Sequence, residues 1–151
     1  GNPPTITVQP TYTPTCKETS FTVTATEGFV GGNALTYQWF VTPPGAAGWS
    51  AVVNGGVYSG ATTPTLEISS VASLQGYQFY LQVRENTATC YTASNAVLIS
   101  GSPVSTWNGS SWSPAAPTAN SIAIINGNYN TAIHGSFTAC SVTVNGTFQL
   151  N

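Results

Sequence analysis

Apolar residues and threonines exchange places at every step in Ile6-Thr7-Val8 and in Phe21-Thr22-Val23-Thr24-Ala25. This period of two sends alternate side chains to opposite faces of a strand. Similar runs extend over Leu35 to Val41, Thr65 to Val71, Tyr77 to Arg84 and Asn95 to Ser100. Turn-forming residues separate them at Gly31-Gly32-Asn33, Pro43-Pro44-Gly45, Asn54-Gly55-Gly56 and Leu74-Gln75-Gly76. No stretch carries a helical apolar stripe. About seven short strands at this spacing predict an all-β chain with an antiparallel sandwich over residues 1–101.

Parity assigns the faces. Tyr37, Trp39 and Val41 share one side of their strand, and Tyr77, Phe79, Leu81 and Val83 share one side of theirs; with Val97 and Ile99 they are the expected core, centred on Trp39. The opposite parity leaves Gln38, Gln78, Gln82 and Arg84 outside, together with Phe40, Tyr80 and Leu98, which form an apolar stripe that needs a cover or a partner. Residues 103–150, anchored by Trp107 or Trp112, are one candidate cover. A docked protein is the other.

The chain changes character at Gly101-Ser102-Pro103. A polar stretch, Thr106-Trp107-Asn108-Gly109-Ser110-Ser111-Trp112-Ser113-Pro114, leads into short alternating runs over Ser121 to Ile125, Ser136 to Val144 and Thr147 to Leu150. Asn126-Gly127 and Asn145-Gly146 signal tight turns between them. Residues 102–151 are thus a small β extension with a meagre core. It is expected to lean on the first domain, on downstream sequence or on another chain.

Composition narrows the function. Of 151 residues only 4 % are charged, and the only basic ones are Lys17 and Arg84. Counterion release from nucleic acid and docking on anionic membranes both need more positive charge. Asp is absent, and Glu18, Glu27, Glu67 and Glu85 are too few for an ordinary hard-cation site. A hydrophobic fraction of 41 %, with 4 Trp, 7 Tyr and 6 Phe, still supplies a core. There is no apolar run of the roughly 18 residues a membrane span needs, and no basic-then-apolar start like that of a signal peptide. The 3 Cys lack zinc-ligand spacing. A Thr-rich, Lys-poor chain with separated Cys points to an extracellular or cell-surface setting, where disulfides persist.

Over residues 1–100 the order of features resembles the immunoglobulin-like domains of secreted and surface proteins of Bacteroidetes-type bacteria. The resemblance rests on Phe21-Thr22-Val23-Thr24-Ala25 as strand B, Tyr37-Gln38-Trp39-Phe40 as strand C, Gly56-Val57-Tyr58-Ser59-Gly60-Ala61-Thr62-Thr63 before strand E, Leu66-Glu67-Ile68-Ser69-Ser70-Val71, and Gly76-Tyr77-Gln78-Phe79-Tyr80 as strand F. Val23 and Leu81 stand where that fold usually has its cross-sheet cystines, and Phe79 replaces the corner Tyr. The resemblance implies a bridge between Cys16 and Cys90, although ordinary immunoglobulin topology puts those two positions at opposite ends of the sandwich. Either the segment after strand F folds back or the pair does not form. Cys140 is then expected to be a small buried core residue. Trp107-Asn108-Gly109-Ser110-Ser111-Trp112 followed by Gly135-Ser136-Phe137-Thr138-Ala139-Cys140-Ser141-Val142-Thr143-Val144-Asn145 resembles a segment that introduces β-solenoid-like repeats in the same class of proteins.

For hydrolytic chemistry the only imidazole is His134, read as a loop or strand-end residue, and the four glutamates read as solubilising charges. No catalytic, cofactor-binding or metal-binding residue is assigned. Trp49, Trp107 and Trp112 among amide-rich loops could stack on sugar rings. The expectation is therefore a non-enzymatic extracellular module acting in adhesion or as a structural spacer, whose partner is a protein or polysaccharide at the cell surface. The alternatives are a fibre subunit that self-associates through its C-terminal strand, and a carbohydrate-binding accessory domain of a polysaccharide-degrading enzyme.

Overall fold

The structure, a computed structural model, describes residues 3–28, 34–86, 88–101 and 103–151. The Gly31-Gly32-Asn33 turn and Ser102 of the Gly101-Ser102-Pro103 junction lie outside the described residues. Among the described residues the protein is mainly β, with several small sheets and one short helix. It divides into two compact units, one made of Gly1–Thr13 and Glu18–Ser100, the other of Pro14–Lys17 and Gly101–Asn151.

In the first unit the strands are β1 (Thr5–Val8), β2 (Thr19–Thr22), β3 (Thr24–Thr26), β4 (Leu35–Thr42), β5 (Ser50–Ala51), β6 (Tyr58–Ser59), β7 (Thr65–Ile68), β8 (Gln78–Glu85), β9 (Thr92–Ala93) and β10 (Val97–Leu98). All their pairings are antiparallel. One sheet runs β10-β8-β4-β5 with β9 also on β8, a second runs β2-β7-β6, and β1 pairs with β3. The longest ladder joins β4 to β8, from Leu35 opposite Glu85 to Thr42 opposite Gln78.

Strand parity accounts for the core. Phe79, Leu81 and Val83 of β8 are fully buried, as are Trp39 of β4 and Ile99 after β10. From the second sheet, Phe21, Leu66 and Ile68 enter the same cluster, and the Phe21 ring lies 6.3 Å from Trp39 and 5.6 Å from Phe79. The Trp39 indole N–H donates to the Thr63 carbonyl at 2.9 Å, so this buried ring leaves no polar atom unsatisfied. The same parity carries Glu85 inward: it is 7 % exposed, not the solubilising charge expected at a strand end.

The second unit is built differently. Its elements are β11 (Val104–Trp107), β12 (Trp112–Ser113), β13 (Ile122–Ile125), β14 (Asn128–Asn130), α1 (Thr131–His134), β15 (Ser141–Val144) and β16 (Thr147–Gln149). β11, β13 and β15 stack in parallel, with Val104 opposite Ile122 and Ile122 opposite Ser141. β14 and β16 pair in parallel with Asn128 opposite Thr147. Asn126-Gly127 and Asn145-Gly146 do mark turns, but the strands on either side of each turn pair with the next layer and not with each other.

Backbone packing at these corners leaves no room for side chains. A Cβ on Gly127 would collide with the Gly109 Cα, and one on Gly146 with the Gly127 carbonyl oxygen. Beside this column the Asn145 amide donates to the Asn126 side-chain oxygen at 2.9 Å, one layer 19 residues away. The single helical turn, unforeseen by the sequence pattern, starts where the Asn130 side chain caps the Ala132 N–H at 2.9 Å and ends at Gly135 with φ 91°.

Candidate functional site

The outer face of the β10-β8-β4-β5 sheet gathers the residues whose parity set them opposite the core. Because Phe40 and Tyr80 are direct cross-strand partners, their rings stack with centroids 5.3 Å apart and planes 16° from parallel. Trp49, just before β5, meets Tyr80 edge-on at 4.8 Å and is 41 % exposed. The row continues along β8. The Gln82 amide donates to the Tyr80 hydroxyl at 2.8 Å, and Arg84 donates to the Gln82 side-chain oxygen at 2.9 Å. The Arg84 guanidinium lies 5.2 Å over the Tyr91 ring, a cation–π contact. Leu98, opposite Gln78, is 45 % exposed.

This face therefore presents an aromatic strip edged by amides and one held cation. It can stack against a flat apolar surface while hydrogen bonding at its margin. The sequence reading missed Tyr91; two residues before it the chain is still turning, and no strand period reaches it from β8.

The other two tryptophans assigned to an interaction surface sit elsewhere. Trp107 is 4 % exposed, correcting its reading as an interface anchor. Its ring packs on Tyr129 at 4.7 Å, His134 at 4.8 Å and Trp112 at 5.5 Å, and its indole N–H donates to the Asn128 carbonyl at 2.9 Å. Trp112 is half-buried, against Tyr129 and Phe137. The second unit needs both rings for its own core, because its short strands supply few other large apolar groups. His134 joins them. Its Nδ1 accepts the Asn130 N–H at 3.0 Å, so one ring nitrogen is engaged in holding the helical turn.

The cystine is also not the expected one. Cys16 is bonded to Cys140 with Cα atoms 6.5 Å apart, and Cys90 is a free, exposed thiol. This corrects the Cys16–Cys90 pairing and the reading of Cys140 as a buried core residue. The reason lies in the path of the chain: Pro14–Lys17 belongs to the second unit, whereas Cys90 follows β8 in the first.

On the β2-β7-β6 sheet a cleft of about 660 Å³ is lined by hydroxyls and two carboxylates, among them Thr13, Glu18, Ser20, Ser59, Glu67 and Ser69. Ser59 donates to Glu67 at 3.3 Å. Burial, and after it the neighbouring Tyr77, raises the Tyr58 phenol above its ordinary value. Among the described residues no group of three or more His, Cys, Asp or Glu could hold a metal ion. Among them, too, no helix is long and apolar enough to cross a membrane.

A comparison with protein-family models finds no match, and no curated protein matches the chain.

Proposed function

We propose that the protein is a non-catalytic extracellular module, acting in adhesion or as a structural spacer. In this reading residues 1–101 form an immunoglobulin-like β-sandwich, and residues 102–151 form the first layers of a solenoid-like stack. The facing clusters around Trp39 and Phe21 support the sandwich, and the parallel layers with their glycine corners support the stack. The Cys16–Cys140 bond favours an oxidising compartment. The observation that carries the adhesive role is the strip formed by exposed Trp49 with half-buried Tyr80 and Phe40. Its near-neutral surroundings limit long-range steering, so a partner is selected by short-range stacking and hydrogen bonding.

The test is retention of protein-coated beads on protein and polysaccharide surfaces, comparing the native chain with a Trp49→Ala/Tyr80→Ala variant whose near-ultraviolet circular dichroism is otherwise native. Adhesion should fall at least tenfold. Unchanged retention would remove the strip from the account, and a hydrolytic activity that disappears in His134→Ala would overturn the non-catalytic reading. Retention on polysaccharide alone would favour the carbohydrate-binding accessory role, for which Trp49 is the exposed ring.

One observation favours the fibre reading as a second possibility. Val142 and Val144 of β15 and Leu150 after β16 are 48 %, 46 % and 76 % exposed, the kind of strand edge that recruits another chain. That reading expects concentration-dependent filaments that vanish on deletion of residues 145–151.

A further inference from the structure

We infer that the Cys16–Cys140 bond is a mechanical bypass, which carries tension past both hydrophobic cores when the chain is pulled from its two sides. The inference rests on the spacer reading for its purpose, but not for its mechanics. Every buried residue of both apolar clusters, from Phe21 to Ile99 and from Trp107 to Tyr129, lies between the two cysteines in sequence. Among the described residues, the elements outside the pair are β1 on one side and β15 and β16 on the other. Tension entering from the N-terminal side can strip β1 from β3, and tension from the other side can peel β15 and β16 from β13 and β14. It then meets the disulfide, and the covalent path closes across a Cα separation of 6.5 Å.

The seat of the bond suits that task. Pro14–Lys17 belongs to the second unit although first-unit chain flanks it on both sides. Cys16 Sγ lies 3.2 Å from the Asn120 carbonyl oxygen, and the Cys140 N–H donates to the neighbouring Ser121 carbonyl at 2.7 Å. Both cysteines are thus held at the entrance to β13, the middle strand of the parallel stack. The pair spans a sequence separation of 124, which at roughly 3.5 Å per extended residue withholds about 430 Å of chain from extension.

The experiment is single-molecule pulling of the full chain through handles at Gly1 and Asn151. Oxidised protein should release only the segments outside the pair. Reduction of the already folded molecule should add about 430 Å of contour length, and so should the Cys16→Ser/Cys140→Ser variant. Reduction in place keeps the test decisive if that variant folds poorly. Cys90→Ser, which removes the free thiol as an exchange partner, should keep the short oxidised trace. A full-length extension from the oxidised protein, or no gain on reduction, would overturn the bypass. If instead the short trace holds and the beads do not adhere, the adhesive role fails and the bypass stands.

Discussion

The two units solve the same problem with different materials. The first buries a broad cluster from two antiparallel sheets, with Phe21, Trp39, Phe79 and Leu81 all at 0 % exposure. The second has a small cluster of Trp107, Ile125 and Tyr129, and adds to it a glycine column, an asparagine pair and a disulfide. Small folds bury a lower fraction of their surface, about 60 % for roughly 60 residues, so they depend on staples. The contrast teaches that in this chain core size and covalent or backbone constraint substitute for each other.

The sharpest way to break that contrast is Trp39→Ala, which should cost about 3–5 kcal/mol, the range for removing a buried aromatic ring. Hydrogen exchange should quicken across β4 and β8 and much less across β13 and β15. Equal acceleration in both would show that the units do not keep separate accounts of stability. Next in size is Gly127→Ala. The added methyl meets backbone that cannot retract, so we expect a loss of about 1–3 kcal/mol, read as lower protection at β11, β13 and β15. A neutral effect would mean that the corner column is not a constraint.

The smallest effect concerns pH. Because the folded-state pKa of Tyr58 is raised, its contribution to stability is fully present below the unfolded value of about 10 and is lost as pH rises through the folded value. Tyr58→Phe should flatten the alkaline limb of a stability-versus-pH curve in the first unit. An unchanged limb would dissociate the phenol from that loss.

Much of the first unit was legible because one local rule, strand parity, decides it. Phe79, Leu81 and Val83 inward and Tyr80 outward follow from alternation alone. Glu85 obeys the same parity, and reading it as a strand-end charge ignored where that parity pointed. The second unit was less legible. An Asn-Gly pair bends the chain whether the flanking strands form a hairpin or join successive layers, and only long-range pairing distinguishes the two. The partner of Cys16 was equally invisible, since it depends on Pro14–Lys17 joining residues far along the chain. Trp107 and Trp112 looked available because their polar neighbours hide how much aromatic surface Tyr129 and Phe137 bring to meet them.

The bare corner at Gly109, Gly127 and Gly146 acts as a gauge on how this stack can vary. Lengthening the chain at the corner would jam adjacent layers, because each added backbone atom would meet the glycine of the next turn. Insertions and deletions in the second unit should therefore spare these three corners, whose turns are held to fixed size.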